Sequence, residues 1–370
     1  MACQRDYDVI VIGGGPSGAA AALALARKGF SVAVLAKPAG ETPCIGETVP
    51  PMIMRPLAQL GLWNEFLLAQ HMEAPGAVTI WGGEQPYEND FIFNAYGPSW
   101  HLDRARFDAM LLAAARTAGA DIFDVPARDC SRESGGKWEV LIHNGDRGDR
   151  LTAHWLVDAT GRAAWLGRRL GARRHRIDRL VALVRFAPVA YTGEPRTMIE
   201  SCPNGWWYAT ALPQNRAVAA LFTDADLLPR SAPERARLWH GMLAQTQLIA
   251  KVYPDPEDGS PIHTAAAFSG RSLPCAGENW LAVGDAGHFF DPLSGQGISK
   301  ALTSALRGAE TISVNLSGRQ ASDDFAESCD REYQQFLAGY LAQYRREARW
   351  SQHLFWKRRS ELDAAQIQSA

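Results

Sequence analysis

Residues 7–18, YDVIVIGGGPSG, decide how this chain begins to fold. Tyr7–Ile12 is a continuous, β-branched apolar run, the pattern of a parallel strand buried on both faces. It leads into Gly13-x-Gly15-x-x-Gly18 and then into small residues at helical length, Ala19 to Lys28, stopped by Gly29. Ser31–Leu35 (SVAVL) supplies the next strand. A glycine turn between strand and helix raises this motif above chance. The first glycine permits the tight turn, the second lets backbone approach a pyrophosphate, and the third lets helix pack on strand. Unpaired N–H groups at the helix start favour the phosphates. Gly13, Gly15, Ser17 and Gly18 are therefore candidate nucleotide ligands. An acidic residue is expected at the end of the second strand to hold the ribose, but Ala36 and Lys37 stand there. Glu41 or backbone is expected to take that role, with Lys37 as a candidate partner for a nucleotide phosphate.

Composition narrows the field. The 370 residues carry 38 Lys+Arg against 40 Asp+Glu, which leaves no excess charge to recruit nucleic acid. No apolar run reaches membrane-spanning length, and MACQRDYDVIV enters a strand without room for a signal peptide. Six scattered cysteines without ligand spacing imply a reducing cytoplasm and no metal site. The 12 tryptophans fit either a Trp-rich core or an aromatic-lined pocket. Further along, 103–118 has helical periodicity; 122–125, 138–142 and 155–157 read as strands, and 180–223 alternates as a β region. A helical patch follows at about 233–253. NWLAV (279–283) is a buried strand before a helix from about Ile298, and amphipathic helix runs from 323 onward.

Three distant stretches resemble the FAD-dependent aromatic hydroxylases and halogenases. WHLDRARFDAMLLAAA (100–115) resembles their Arg-x-x-Phe-Asp helix, VDATGR (157–162) their second FAD strand, and GDAGHFFDPLSGQGISKAL (284–302) their flavin loop. The resemblance implies an α/β fold: a glutathione-reductase-type Rossmann FAD domain (1–72, 101–178 and 265–322) interleaved with a β-sheet substrate domain (73–100 and 179–264). A C-terminal helical segment, 323–370, completes it. It implies FAD as cofactor, with Arg104 near the flavin, Gly161 on the second strand and Asp285 at the ribityl chain. Gly295, Gln296, Gly297 and Ile298 would lie along the ring, where glycines let backbone N–H groups approach and the helix start faces the pyrimidine oxygen. CIGETVPP (44–51) resembles the Gly-Glu-x-x-x-Pro loop that covers the flavin, carried by Gly46 and Glu47; a helix-capping carboxylate is the other reading of Glu47. A second dinucleotide motif is missing, so reducing equivalents are expected from NAD(P)H directly or from a flavin reductase.

NGWWYATALP (204–213) raises the question of halogenation. Halogenases carry Trp-x-Trp-x-Ile-Pro here, but residues 206–209 read Trp-Trp-Tyr-Ala. Tryptophan halogenases also place a lysine shortly after the Gly-Glu loop. This chain has no lysine between Lys37 and Lys137, with Pro75 and Gly76 at the matching place. WHLDR, GWWY, DPLSGQGI and EARWSQHLFWKRR (347–359) together resemble the flavoproteins required for tryptophylquinone maturation of lysine ε-oxidase and glycine oxidase. That resemblance implies a monooxygenase that hydroxylates an aromatic ring through a flavin C4a-hydroperoxide, its substrate the indole of a tryptophan in a peptide or partner protein. Trp81, Trp100, Trp206 and Tyr208 would wall the substrate, with Glu200 beside it. Glu47, His288 and Pro292 are candidates for the catalytic machinery, with Glu200 and His101 as further bases. The runner-up is a halogenase of tryptophan or another small aromatic without the usual lysine; a flavoprotein chaperone and a saturated-lipid reductase are more distant readings. The Arg/Trp-rich stretch 347–359 is either a docking surface or a helix packed on the body.

Overall fold

The computed structural model describes residues 4–38, 45–144, 147–188, 193–253, 260–319 and 324–362. Glu41, Cys44 and the tip of the 144–150 hairpin lie outside them. The first strand, Gln4–Ile12, is flanked in parallel by Val32–Leu35 and Arg147–Asp158. Asp121–Phe123 extends the parallel sheet on one side and Trp280–Ala282 on the other. Ala127–Arg132 and Trp138–Asn144 add an antiparallel meander. The helix Pro16–Arg27 packs between Arg104–Thr117 and Gly297–Leu316 against this sheet. Alanines 19–22 of the first helix are buried, and their small side chains let it approach the helix at 297–316 closely.

A second sheet holds seven strands in the order His263–Ala266, Leu180–Pro188, Arg216–Asp224, Gly205–Leu212, Thr197–Cys202, Gly76–Ile80, Tyr87–Asp90. Period-two alternation sorts its aromatic residues between two layers. Trp206 and, at the margin, Tyr208 join a cluster with the C-terminal helices. Trp207 goes to the opposite layer, edge-on to Trp239 of the helix Ala232–Leu243 with centroids 4.7 Å apart.

The helices Phe325–Arg345 and Leu354–Ser360 close the first of these layers. In the stretch 347–359, Phe355, Trp356 and Arg359 are buried; Trp356 donates its indole N–H to the Cys202 carbonyl and Arg359 pairs with Asp224. This stretch is packed structure. Among the described residues no helix is long and apolar enough to cross a membrane.

Candidate active site

The glycines of the nucleotide turn fall into two kinds. A Cβ on Gly13 would lie 2.3 Å from the Ala159 carbonyl oxygen, and one on Gly18 would lie 1.8 Å from the Gly13 carbonyl oxygen. Those two positions are needed for packing. A Cβ on Gly15 would meet nothing within 4 Å, and the same holds at Gly161, Gly295 and Gly297. These four positions therefore border open space, as a cradle for a ligand requires. Gly161 and Gly295 also hold left-handed backbone, φ 61° and 62°, which other residues adopt only with strain. The helices Pro16–Arg27 and Gly297–Leu316 both start without a side-chain cap, so their first N–H groups are free for a ligand's oxygens.

The elements carrying these glycines meet. A Cβ on Gly284 would lie 2.8 Å from Ser17 Oγ. Arg162, next to Gly161, reaches Asp285 at 3.2 Å, and buried Lys300 holds the other carboxylate oxygen at 2.6 Å. Burial alone would raise the Asp285 pKa, but Lys300 and Arg162 outweigh it and hold the group ionised below its usual range. At the end of the second strand Ala36 is buried and Lys37 exposed. A Cβ on Gly14 would stand 2.6 Å from that of Ala36, so a small residue there fits beneath the turn.

Arg104 ties the Gly-Glu loop to its helix. It pairs with Asp108 at 3.0 Å and donates to the carbonyls of Ile45 (2.7 Å) and Gly46 (3.2 Å). The loop presents Glu47, which is buried, with Oε1 lacking any hydrogen-bond partner. Burial lifts its carboxyl to about 7 against the pull of Arg104 and Arg216. Next to it, the Thr48 and Tyr208 hydroxyls share a hydrogen bond of 2.7 Å. A buried acid titrating near neutrality beside an aromatic wall suits proton transfer.

The other sequence-derived residues sort as follows. Trp81 and Trp206 stay in the aromatic layer with Tyr208, but the C-terminal helices cover them: the Trp81 N–H reaches the Gln343 carbonyl and the Trp206 N–H the Tyr344 hydroxyl, while Trp206 stacks on Phe222 of its own sheet at 4.0 Å. Trp100 lies in the core packed on the parallel sheet, edge-on to Phe66 at 5.2 Å, because strand Ser99–His101 turns toward helix Trp63–Leu68. Glu200 faces away from Tyr208. Its carboxylate accepts backbone N–H groups of Gln247 and Leu248, capping a short helix. His101 is buried between Thr197 and Thr210, and desolvation drives its pKa down to about 3. His288 is buried, its pKa lowered first by that burial, and its Nε2–H donates to Glu332 at 3.1 Å. Pro292 and Gln296 are exposed in the turn 291–297, and Ile298 is anchored in the core.

In the sequence, the brace behind this turn is legible only as one face of an amphipathic helix. Glu332, Phe336, Tyr340 and Tyr344 recur every fourth residue on the helix Phe325–Arg345, one face of a 3.6-residue period. Glu332 meets His288, Phe336 stacks on Phe290 at 4.0 Å, and Tyr344 donates to Asp291 at 2.6 Å. Trp206 in turn donates to the Tyr344 oxygen at 3.0 Å. Burial, reinforced by Asp178, raises the Asp291 carboxyl to about 7, and the Tyr344 hydroxyl opposes that rise. Tyr344→Phe is expected to cost about 1–2 kcal/mol, since it removes one buried donor and strands the Trp206 N–H. Urea denaturation at neutral pH measures this, and an unchanged midpoint would show that the brace is energetically idle.

Comparison with known proteins places this geometry. The FAD binding domain family model matches residues 6–341. The chain belongs to that family. LodB of Marinomonas mediterranea, named as an FAD-dependent oxidoreductase, is 33% identical over 98% of this chain and 99% of its own length. A 1H-pyrrole-2-carbonyl-[peptidyl-carrier protein] brominase of Pseudoalteromonas luteoviolacea is 25% identical over 87% of this chain and 80% of its own. Among solved structures, QhpG, a peptidyl tryptophan dihydroxylase essential for tryptophylquinone cofactor biogenesis, superposes with TM-score 0.80 at 27% identity, covering 96% of this chain and 78% of that one. The myxobacterial chondrochloren halogenase CndH shares the fold, with TM-score 0.86 at 23% identity over 99% of this chain and 88% of its own. This flavoprotein is thus an FAD-dependent oxidoreductase of the monooxygenase and halogenase type, with the expected mixed α/β fold and C-terminal helices. The glycine cradle and uncapped helix starts fit FAD.

Proposed function

We propose that this flavoprotein is a monooxygenase that hydroxylates the indole ring of a tryptophan held in a peptide or partner protein. The observation that carries the choice of oxygenation is steric. Pro75 and Gly76 stand where tryptophan halogenases present a lysine, a Cβ at Gly76 would lie 2.4 Å from the Asn89 carbonyl oxygen, and residues 38–136 contain no lysine at all. The choice of tryptophan rests on the likeness to QhpG over nearly the whole chain.

Gly15 and Ser17 would hold the pyrophosphate on the turn that Gly13 and Gly18 shape, with Lys37 at the outer edge. Gly46, Arg104, Gly161, Asp285, Gly295, Gln296, Gly297 and Ile298 would hold the remainder of FAD. Bound FAD supplies activated oxygen to an electron-rich ring, and its reducing equivalents come from NAD(P)H or a flavin reductase. Glu47 then accepts the proton released from the ring, for which a carboxyl poised near neutrality is suited. Tyr208 and Thr48 fix one wall beside it. His288 and Pro292 support the flavin loop, with His288 acting through Glu332.

The second reading is halogenation, favoured by the carrier-protein brominase relative. One experiment separates the two: the photoreduced, FAD-loaded protein meets oxygen with tryptophan-containing peptides, with and without bromide. Products heavier by one or two oxygen atoms, indifferent to bromide, are expected. A bromine isotope pattern would establish the halogenase instead.

A further inference from the structure

The stretch 168–179, RRLGARRHRIDR, is the most basic segment of the chain, and the flavin cradle accounts for little of it. Its strand, Arg173–Arg176, pairs with Gly270–Leu273, which pairs in turn with His288–Phe289. Alternation sends Arg174 and Arg176 to one face, where Phe268 and Phe289 lie. The Arg176 guanidinium sits 4.0 Å from the Phe268 centroid, that of Arg162 5.2 Å, and that of Arg174 4.2 Å from Phe289. Three guanidinium groups therefore crowd two phenyl rings.

Their charges are poorly balanced. Arg162 has Asp285, but Lys300 already shares that carboxylate. Asp226 is taken by Arg179 and Arg358. Asp178 accepts backbone N–H groups of Leu180 and Ser269. Among the described residues, Arg174 and Arg176 have no carboxylate partner. Arg174 donates from Nη1 to the Arg162 carbonyl, while its Nε and Nη2 are buried without any hydrogen-bond partner. Burial first, then Arg176, Arg162 and Arg168, push its pKa down to about 10. Buried, unsatisfied guanidinium N–H groups are costly, and a planar fork of donors matches phosphate oxygens. The Arg176 and Phe268 end of this cluster borders a concavity of about 530 Å³, whose lining also holds Arg179 and the carboxylates of Asp178 and Asp226, within the range of small-molecule sites.

We propose that Arg174 and Arg176, with Arg162 and the Phe268 ring, form a binding site for a phosphate-bearing anion, separate from the glycine-turn cradle. The phosphoryl group is the shared chemistry; it can arrive on a nicotinamide dinucleotide carrying a 2′-phosphate or as free phosphate. The site does not depend on the choice between oxygenation and halogenation, because both consume reduced flavin.

The test is calorimetric titration of the FAD-loaded protein with inorganic pyrophosphate, NADPH and NADH, at ionic strength held constant with chloride. Pyrophosphate is expected to bind one to one. Arg174→Gln and Arg176→Gln are each expected to weaken it about tenfold, as for loss of a charge-assisted contact. Arg173→Gln, an equal charge change on the strand's other face, is expected to leave binding intact, and matching thermal melts would exclude misfolding. NADPH binding about tenfold tighter than NADH would identify the dinucleotide as the source. Equal affinity of the two with pyrophosphate binding retained would identify free phosphate. Three results would overturn the proposal: no binding, equal weakening by Arg173→Gln, or binding only after FAD is removed, which would give these arginines to the flavin's own pyrophosphate.

Discussion

Gly15→Val is expected to abolish FAD binding while leaving the fold intact, and Gly18→Ala is expected to damage the fold itself. The contrast follows from what each new side chain meets. At position 18 a single methyl would lie 1.8 Å from the Gly13 carbonyl oxygen, so helix and strand must separate. At position 15 the backbone has φ −71°, which valine tolerates, and no protein atom lies within 4 Å of the new Cβ. The isopropyl group instead occupies the space where the pyrophosphate must approach the free N–H groups of the helix start. A loss of at least about a hundredfold in FAD affinity, roughly 3 kcal/mol, is expected when several backbone hydrogen bonds to a charged group are blocked. Flavin fluorescence quenching measures the affinity and a urea melt of the flavin-free protein measures the fold. Full FAD binding by Gly15→Val would mean that the phosphates lie elsewhere.

The same contrast explains what could be read from the chain before its structure. Tyr7–Gly18 was legible because each signal is local: a β-branched run, a turn needing glycine, a helix of small residues. The alternation of 205–212 was legible for the same reason, and Trp206 and Trp207 do take opposite layers. Long-range placements were not. Trp100 has the composition of a pocket wall, yet it packs on Phe66 because its strand turns toward helix Trp63–Leu68. Glu200 offers a carboxylate in the right sheet, yet that carboxylate caps residues 247 and 248. No local pattern marks Tyr344, whose partner Asp291 is 53 residues away. A four-residue spacing identifies a helix face but not what that face will meet.

Replacing Glu47 by glutamine is expected to remove a stability loss that the wild type suffers as pH rises from 5 to 8. The wild-type carboxyl has its usual pKa of 4.5 when unfolded and about 7 when folded, because burial penalises its ionised form more than Arg104 and Arg216 favour it. Below pH 4.5 it is protonated in both states and costs nothing. Between 4.5 and 7 the unfolded chain releases a proton that the folded chain retains, so stability falls as pH rises. Above 7 both states are ionised and the loss levels off at roughly 3 kcal/mol. Asp291, raised from 3.8 to about 7, acts in the same direction over nearly the same window. Glu47→Gln should therefore remove a fall of roughly 2.5 kcal/mol between pH 5 and pH 8, leaving the Asp291 share and the opposing rise from His71 and His101, which burial keeps neutral in the folded chain. Urea denaturation of both flavin-free proteins at the two pH values measures the difference; an identical pH dependence in the two would show that Glu47 is ionised at ordinary cost. The FAD-loaded variant adds the functional half. Glutamine keeps the shape of the side chain but cannot accept the ring proton, so hydroxylated product should fall about a hundredfold at neutral pH, in line with the loss of a general base, while FAD affinity changes little. A buried carboxyl that weakens the folded state at neutral pH is retained at a cost, and transfer of the ring proton is the use that cost implies.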